Sequence, residues 1–358
     1  MIISCTKKLQ DELGIKPSLL VTENPIYSWH ANVIMVNRRK TVVLVNDASR
    51  YNIILYGLKA KDFRNIESTI LLGIHETFLS DGVNDEVIDK YMEEAGQIVF
   101  SKTQNRTLVA RLNKGCEAAG IFYDCYSEDG IAQPLVSQNA NKFIFIDYSD
   151  SYMHPDEMFY KQLHETFKLP VIKCKALKLL VKMKLEKFDI WRNVIVPLKF
   201  TFEELHKVLQ KLFGWKDYHL HDFMIFNETK PIINIVGSEE NFEYQTDIPM
   251  VLENGVKISE YLPKYKRINY RYDYGDNWEH IIQIEDVIFD YDKNYAYCID
   301  GHGDAPPEDV GGEGGFEEFI KIINNPENKE YQHMKQWADS QWYKGFDIEI
   351  VNVELQNI

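Results

Sequence analysis

Residues 270–290 read YRYDYGDNWEHIIQIEDVIFD, and this pattern sets the architecture of the second half of the chain. Apolar and polar residues alternate on both sides of Gly275–Asn277, a tripeptide of turn-forming residues. Alternation around such a tripeptide predicts a β-hairpin, with Tyr272, Tyr274 and Trp278 near its tip. These aromatic side chains either stack on a bound base or peptide, or form part of the core.

The loop that follows the hairpin, CIDGHGDAPPEDVGG at residues 298–312, belongs to a strongly acidic region. Fourteen carboxylates lie within residues 273–318, against one basic residue, Lys293. Carboxylates at this density repel one another, so we expect solvent, a cation or a basic partner to offset their charge. Pro306 and Pro307 stiffen the loop, which we expect to form one cleft together with the hairpin and the motif HLHDF at residues 219–223.

The composition is typical of a globular protein. Hydrophobic residues make up 45% of the 358 residues, and no run of about 18 uncharged apolar residues occurs. The N-terminal sequence MIISCTKKLQDEL places its lysines after a short apolar patch, the reverse of a secretory signal. We therefore expect a cytoplasmic protein with no membrane partner. The five cysteines are odd in number and widely scattered, which predicts reduced thiols, and the lack of a CxxC pair disfavours a zinc ribbon or a thioredoxin-like redox site.

The two halves differ in charge. Up to Ile172 there are 18 Lys and Arg against 22 Asp and Glu, and from Lys173 onward there are 22 against 33. A net-acidic protein disfavours non-specific binding to nucleic acid, which needs several basic contacts to phosphates. The segment Lys173–Lys187 is basic enough for such contacts, so a DNA-binding accessory protein stays open as an alternative.

The periodicities predict an α+β fold of two domains, each with a mostly antiparallel sheet packed with helices. In the first half, Trp29–Leu55 is predicted to form a β-meander, and helices follow. In the second half, Thr201 and Glu204 form a capping box at the start of a helix that Gly214 ends. The expected boundaries are a first domain over 1–150, a joint over 151–172 and a second domain over 173–358.

Six motifs follow one another in the second half: IWRNVIVP, FTFEELHKVLQKLFGW, HLHDF, YRYDYGDNWEH, CIDGHGDAPPEDVGG and FDIEIVN. Their order over about Lys173–Val353 resembles the plasmid pRiA4b ORF-3-like family. The first half, through MIISCTKKL and the meander, is similar to an uncharacterised domain that is found fused ahead of this module.

The resemblance implies little about chemistry. The family is largely uncharacterised, occurs on plasmids and other mobile elements, and includes members with a resolvase-like label. A recombinase needs its serine or tyrosine nucleophile among arginines, and the second half has only Arg192, Arg267 and Arg271, in no such arrangement. The resolvase label is therefore not carried over to this chain.

The motif HLHDF supplies the clearest signal for a metal site. On a strand, His219 and His221 project from the same face, and neutral imidazoles suit zinc, manganese or nickel. Asp276 and His280 are the predicted remaining ligands, with Asp273 as a further donor. In the structural alternative, one histidine bonds a buried carbonyl, the other is exposed, and Asp276 caps the hairpin turn.

Three functions stay open, and the sequence does not decide whether the protein is an enzyme. We expect a mobile-element-associated binding or adaptor module whose acidic cleft takes a basic protein segment. The sequence establishes no cofactor, and a divalent metal is the one that stays open. The second is a hydrolase or nuclease that holds a divalent metal at the predicted ligands, with Glu308 or Asp309 as general base. The third is the DNA-binding accessory protein. The candidate binding residues of the cleft are Tyr272, Tyr274, Trp278, Pro306 and Pro307.

Overall fold

The computed structural model describes residues 1–20, 24–103, 105–143, 145–146, 152–244 and 247–358. Within them the chain forms two compact units, Met1–Lys173 and Cys174–Ile358. Each unit combines a sheet with helices, so the predicted α+β class is confirmed. No helix in this described part has the length and apolar character that a bilayer crossing requires.

The elements of the first unit are β1 (Ile2–Cys5), α1 (Lys7–Leu13), β2 (Ser28–Val36), β3 (Arg39–Asn46), β4 (Asn52–Tyr56), α2 (Ala60–Arg64), α3 (Ile66–Asp81), α4 (Asp85–Ala95), β5 (Val99–Lys102), α5 (Arg106–Ile121), α6 (Pro134–Asn141), β6 (Phe145–Ile146), β7 (Tyr152–Met153) and α7 (Pro155–Phe167). The main sheet has the order β4-β3-β2-β1-β5. The predicted meander is present as antiparallel β2, β3 and β4, whereas β1 pairs in parallel with both β2 and β5. Phe159 and Leu163 of α7, inside the segment predicted as a joint, lie in the core of this unit.

The elements of the second unit are β8 (Cys174–Met183), β9 (Trp191–Pro197), α8 (Phe202–Phe213), β10 (His221–Asn227), β11 (Lys230–Val236), β12 (Met250–Leu252), β13 (Arg267–Tyr272), β14 (Trp278–Tyr291), β15 (Tyr297–His302), α9 (Gly312–Ile323), α10 (Tyr331–Ser340) and α11 (Ile348–Leu355). Eight strands form one sheet in the order β12-β11-β10-β13-β14-β8-β9-β15. Of the neighbouring strands described, only β11 and β12 pair in parallel. The predicted hairpin is β13 and β14.

Helix α8 follows its sequence signals closely. The Thr201 hydroxyl accepts a hydrogen bond from the Glu204 amide at 3.2 Å, and the Glu204 carboxylate accepts one from the Thr201 amide at 2.7 Å. Gly214 ends the helix with a φ of +70°, a conformation that glycine adopts without strain. The helix buries a leucine- and valine-rich stripe in the core, and His206 lies in the same helix, also buried.

A buried arginine joins three segments of the second unit. Arg192, in β9, is 1% exposed. Its guanidinium donates hydrogen bonds to the carbonyls of Trp191, Leu212, His302 and Gly303 at 2.8 to 3.0 Å. Burial lowers the pKa of this guanidinium to about 10, so it stays charged at neutral pH. The side chain thus ties β9 to the end of α8 and to the end of β15.

We expect the Arg192→Leu variant to lose about 3 kcal/mol or more of unfolding free energy, because buried carbonyls would be left without donors. Urea denaturation followed by tryptophan fluorescence measures this, since five of the six tryptophans lie in the second unit. The control is Lys184→Gln, which removes an exposed ion pair with Glu279 and should cost less than about 1 kcal/mol. Equal stability of the two variants would contradict the role of Arg192.

His280 is a core residue of the same unit. It lies in β14, is fully buried, and contacts the rings of Phe213, Trp215 and Tyr270. Burial lowers the pKa of His280 from 6.5 to about 3, so the imidazole is neutral in the folded protein. Between these two pH values the unfolded chain binds a proton that the folded chain does not, and stability therefore falls as the pH falls.

Lowering the pH from 7.5 to 5 should therefore cost about 2 kcal/mol of unfolding free energy through His280. His280→Phe fills a similar volume without a titrating group, so its stability should depend less on pH by about that amount. Denaturation curves of both proteins at the two pH values test this. An identical pH dependence would show that His280 is not the titrating group.

Candidate functional site

One histidine and three carboxylates converge in the second unit, where the segments before β10, after β13 and after β15 meet. We call them the His219 cluster: His219, Asp273, Glu308 and Asp309. From His219 Nε2, the carboxylate oxygens lie at 3.1 Å for Asp309, 3.6 Å for Asp273 and 3.8 Å for Glu308. Nevertheless, Nε2 makes no hydrogen bond with any described residue.

Asp273 is held in place by the turn of the hairpin. Its Oδ1 accepts hydrogen bonds from the amides of Gly275, at 2.8 Å, and Asp276, at 3.2 Å. The residue itself has a φ of +57°, a left-handed conformation that aspartate tolerates better than most residues. With Oδ1 occupied, Oδ2 is the oxygen that faces His219.

Hydrogen bonds also orient Glu308, one of the two predicted general bases. It is 2% exposed, and its Oε1 accepts hydrogen bonds from the Lys216 amide, at 2.7 Å, and the Tyr272 hydroxyl, at 3.0 Å. Its Oε2 has no partner in the part of the chain described. Burial raises the pKa of Glu308 above its ordinary value. Asp309, the other predicted base, is the exposed member of the cluster.

A second group of titratable side chains lies beside this cluster. We call it the His206 cluster: His206, Asp217, His221 and Glu253. The two imidazole rings stack in parallel, with centroids 3.5 Å apart and an angle of 6° between planes. His206 Nε2 lies 2.8 Å from Asp217 Oδ1, and His221 Nε2 lies 3.0 Å from Glu253 Oε2. All but Asp217 are buried.

In the His206–Asp217 pair, a neutral imidazole lies beside an ionised carboxylate. Burial is the largest influence on His206 and lowers its pKa below the ordinary value. The hydrogen bond from His206 lowers the pKa of Asp217. At neutral pH the His206–Asp217 pair therefore carries a net negative charge.

Two cavities border the clusters. A cavity of about 450 Å³ is lined by His219 and by every member of the His206 cluster. A second, of about 510 Å³, is lined by Glu308, Trp215 and the exposed side chains of Tyr218 and Trp342. The His219 cluster thus contributes residues to the walls of both cavities.

The four predicted metal ligands do not meet at one point. His219 and His221 belong to the two different clusters, because β10 begins at His221 and His219 lies outside its alternation. Asp276 Oδ2 accepts a hydrogen bond, at 3.0 Å, from the backbone just before α9. His280 lies in the core. Metal binding by this set remains a prediction.

The predicted binding residues are mostly internal. Tyr272 and Trp278 are 0% and 1% exposed and belong to the core. Tyr274 donates a hydrogen bond to the buried Asp222 carboxylate at 2.5 Å. Pro306 and Pro307 are buried and border the larger cavity. Ligand binding by these residues is still to be tested.

The sequence analysis did not single out His206, Asp217 or Glu253. His206 is the one residue of the three with a signal, a polar side chain in a helix whose neighbours are mainly apolar. Glu253 follows β12, and only the folding of the sheet brings it to His221.

Comparisons with known proteins place both parts of the chain. Residues 175–355 match the family described as plasmid pRiA4b ORF-3-like protein, and residues 2–158 match a domain of unknown function, DUF6933. An uncharacterized protein, y4hQ, of Sinorhizobium fredii (strain NBRC 101917 / NGR234) is 30% identical over 160 residues, 43% of this chain and 76% of the relative. The crystal structure of a protein of unknown function, MM3350 from Methanosarcina mazei Go1, matches 49% of this chain and 96% of that one. The sequence identity is 31% and the TM-score is 0.42. The chain therefore belongs to the plasmid pRiA4b ORF-3-like protein family.

Proposed function

We propose that the second unit binds one divalent metal ion at the His219 cluster and acts as a metal-dependent hydrolase. The observation that carries this proposal is the convergence of two shielded atoms without hydrogen-bond partners, His219 Nε2 and Glu308 Oε2, 3.8 Å apart. Asp273 Oδ2 and Asp309 Oδ1 face the same nitrogen.

The charge of the cluster favours a cation. Desolvation disfavours a buried carboxylate such as Glu308, and its two hydrogen bonds go to Oε1 and leave Oε2 uncompensated by any described residue. In the described parts of the chain, no lysine or arginine forms an ion pair with Asp273, Glu308 or Asp309. A divalent ion would supply the missing charge.

Hydrogen bonds to one oxygen of each buried carboxylate fix the orientation of the whole group. Asp273 Oδ1 and Glu308 Oε1 each accept two hydrogen bonds, so their other oxygens are held in one direction before any ion arrives. Such outer contacts orient metal ligands in proteins. Two carboxylates and one imidazole suit Mn²⁺ or Fe²⁺ better than Ca²⁺, which prefers oxygen ligands alone.

Hydrolysis is the reaction that this arrangement supports. A bound divalent metal lowers the pKa of a coordinated water, which makes a nucleophile available at neutral pH. Asp309 is exposed and only 3.1 Å from His219 Nε2, so it can accept the proton that this water loses. His219, Asp273 and Glu308 would hold the ion.

A binding module for a basic segment is the second candidate. The same carboxylates lack a lysine or arginine partner among the described residues and are open to solvent at Asp309, so they could take such a side chain in place of a metal. DNA binding through the segment Lys173–Lys187 has less support, because Lys178, Lys182 and Lys184 already pair with carboxylates at 2.6 to 3.0 Å. The expected link to plasmids or mobile elements stays a prediction.

Chelator-treated protein should bind about one equivalent of Mn²⁺, and His219→Ala should weaken that binding at least 100-fold, because the only nitrogen donor is lost. Electron paramagnetic resonance of the free ion measures the affinity. Asp290→Asn, which removes an exposed carboxylate of the same acidic region, is the control for a general change of charge and should bind normally. Wild-type affinity in His219→Ala would rule out this site. Binding of a lysine-rich peptide but not of Mn²⁺ would favour the basic-segment module.

The Mn²⁺-loaded protein should hydrolyse an activated ester or phosphoester, such as bis-p-nitrophenyl phosphate. Asp309→Asn should lower the rate about 100-fold while Mn²⁺ affinity changes less than tenfold, since a general base contributes about 10²–10⁴ to a rate. Glu308→Gln should instead weaken Mn²⁺ binding. Tight Mn²⁺ binding without hydrolysis of any such substrate would leave the ion structural and refute the hydrolase.

A further inference from the structure

We infer that the His206 cluster is a second metal-binding site, separate from the His219 cluster and suited to Zn²⁺. Its donors are Nε2 of His206 and His221 with the carboxylates of Asp217 and Glu253. The inference does not depend on the function proposed above, because the two clusters share no residue.

The donor atoms already lie close to the positions that one ion requires. The ligand atoms of His206, Asp217 and His221 are all within 4.8 Å of one another. Glu253 Oε2 lies 3.0 Å from His221 Nε2 and would add a fourth donor on moving closer to the other two residues. Tetrahedral zinc holds its nitrogen and oxygen ligands at about 2.0–2.2 Å, so its ligand atoms are roughly 3.5 Å apart. Because the two rings stack in parallel, the imidazoles would have to tilt toward each other before both Nε2 atoms could bind one ion.

Neighbouring residues fix the orientation of both imidazole rings, as is common for metal-binding histidines. His206 Nδ1 lies 2.8 Å from the Tyr270 hydroxyl, which also accepts a hydrogen bond from the Gln210 amide at 3.1 Å. The His221 ring lies against Gly237, where an added Cβ would come within 2.4 Å of the ring. Only glycine leaves this space for the imidazole.

The surroundings fit a site that exchanges an ion with solvent. Asp217 is 54% exposed in its side chain, and the adjoining cavity of about 450 Å³ leaves room for water or a ligand. Two imidazoles and two carboxylates resemble the mixed nitrogen and oxygen sets of zinc sites, whereas the His219 cluster has a single nitrogen. The donor sets therefore favour different metals.

The decisive experiment uses the full-length His219→Ala variant, in which the first site has lost its nitrogen. After chelator treatment it should still bind one equivalent of Zn²⁺ by calorimetry. With Co²⁺ in place of Zn²⁺ it should show the intense visible absorption of four-coordinate cobalt. Failure of His219→Ala to bind Zn²⁺ would overturn the second site.

Two added substitutions locate the ion. Asp217→Asn removes an exposed ligand with little risk to folding, and Gly237→Ala keeps all four ligands while displacing the His221 ring. Each should weaken Zn²⁺ binding at least tenfold, and Asp290→Asn should not. Near-ultraviolet circular dichroism confirms that the variants are folded. An unaltered Zn²⁺ affinity in folded Asp217→Asn or Gly237→Ala would overturn the inference. The results for these two variants do not test Mn²⁺ binding at the His219 cluster.

Discussion

The buried guanidinium of Arg192 is the constraint on which the second unit depends. It satisfies four main-chain carbonyls at once and lies over the Phe346 ring, 3.7 Å from its centroid. Because two of those carbonyls are at the end of β15, Arg192 fixes the start of the loop that carries Glu308 and Asp309. The position of the candidate site thus follows from a residue that takes no part in it.

Opposite charges of the second unit pair with one another. The acidic region and the basic strand β8 looked like two unrelated features in the sequence, yet Lys178 pairs with Glu285 and Lys184 with Glu279. These ion pairs offset part of the repulsion among the fourteen carboxylates. The carboxylates of the His219 cluster are left without a lysine or arginine partner in the described residues, and these are the ones that face a histidine.

The sequence patterns predicted the features of the fold that depend on interactions between neighbouring residues of the chain. The capping box and Gly214 placed α8, and alternation around Gly275–Asn277 placed the hairpin, because each depends on residues a few positions apart. The parallel pairings of β1 and the grouping of the histidines depend on contacts between distant segments, which periodicity does not encode. For HLHDF, the error in the expected geometry came from the start of β10 at His221, two residues after His219.

The tripeptide His219–His221 places side chains of both clusters on one short piece of backbone. Should each cluster hold an ion, a shift of the tripeptide on loading one would alter the other. Thermodynamic linkage then requires reciprocity: the factor by which the first ion changes the affinity for the second equals the factor by which the second changes the affinity for the first. Because only Leu220 separates the two histidines, the two sites would not be independent.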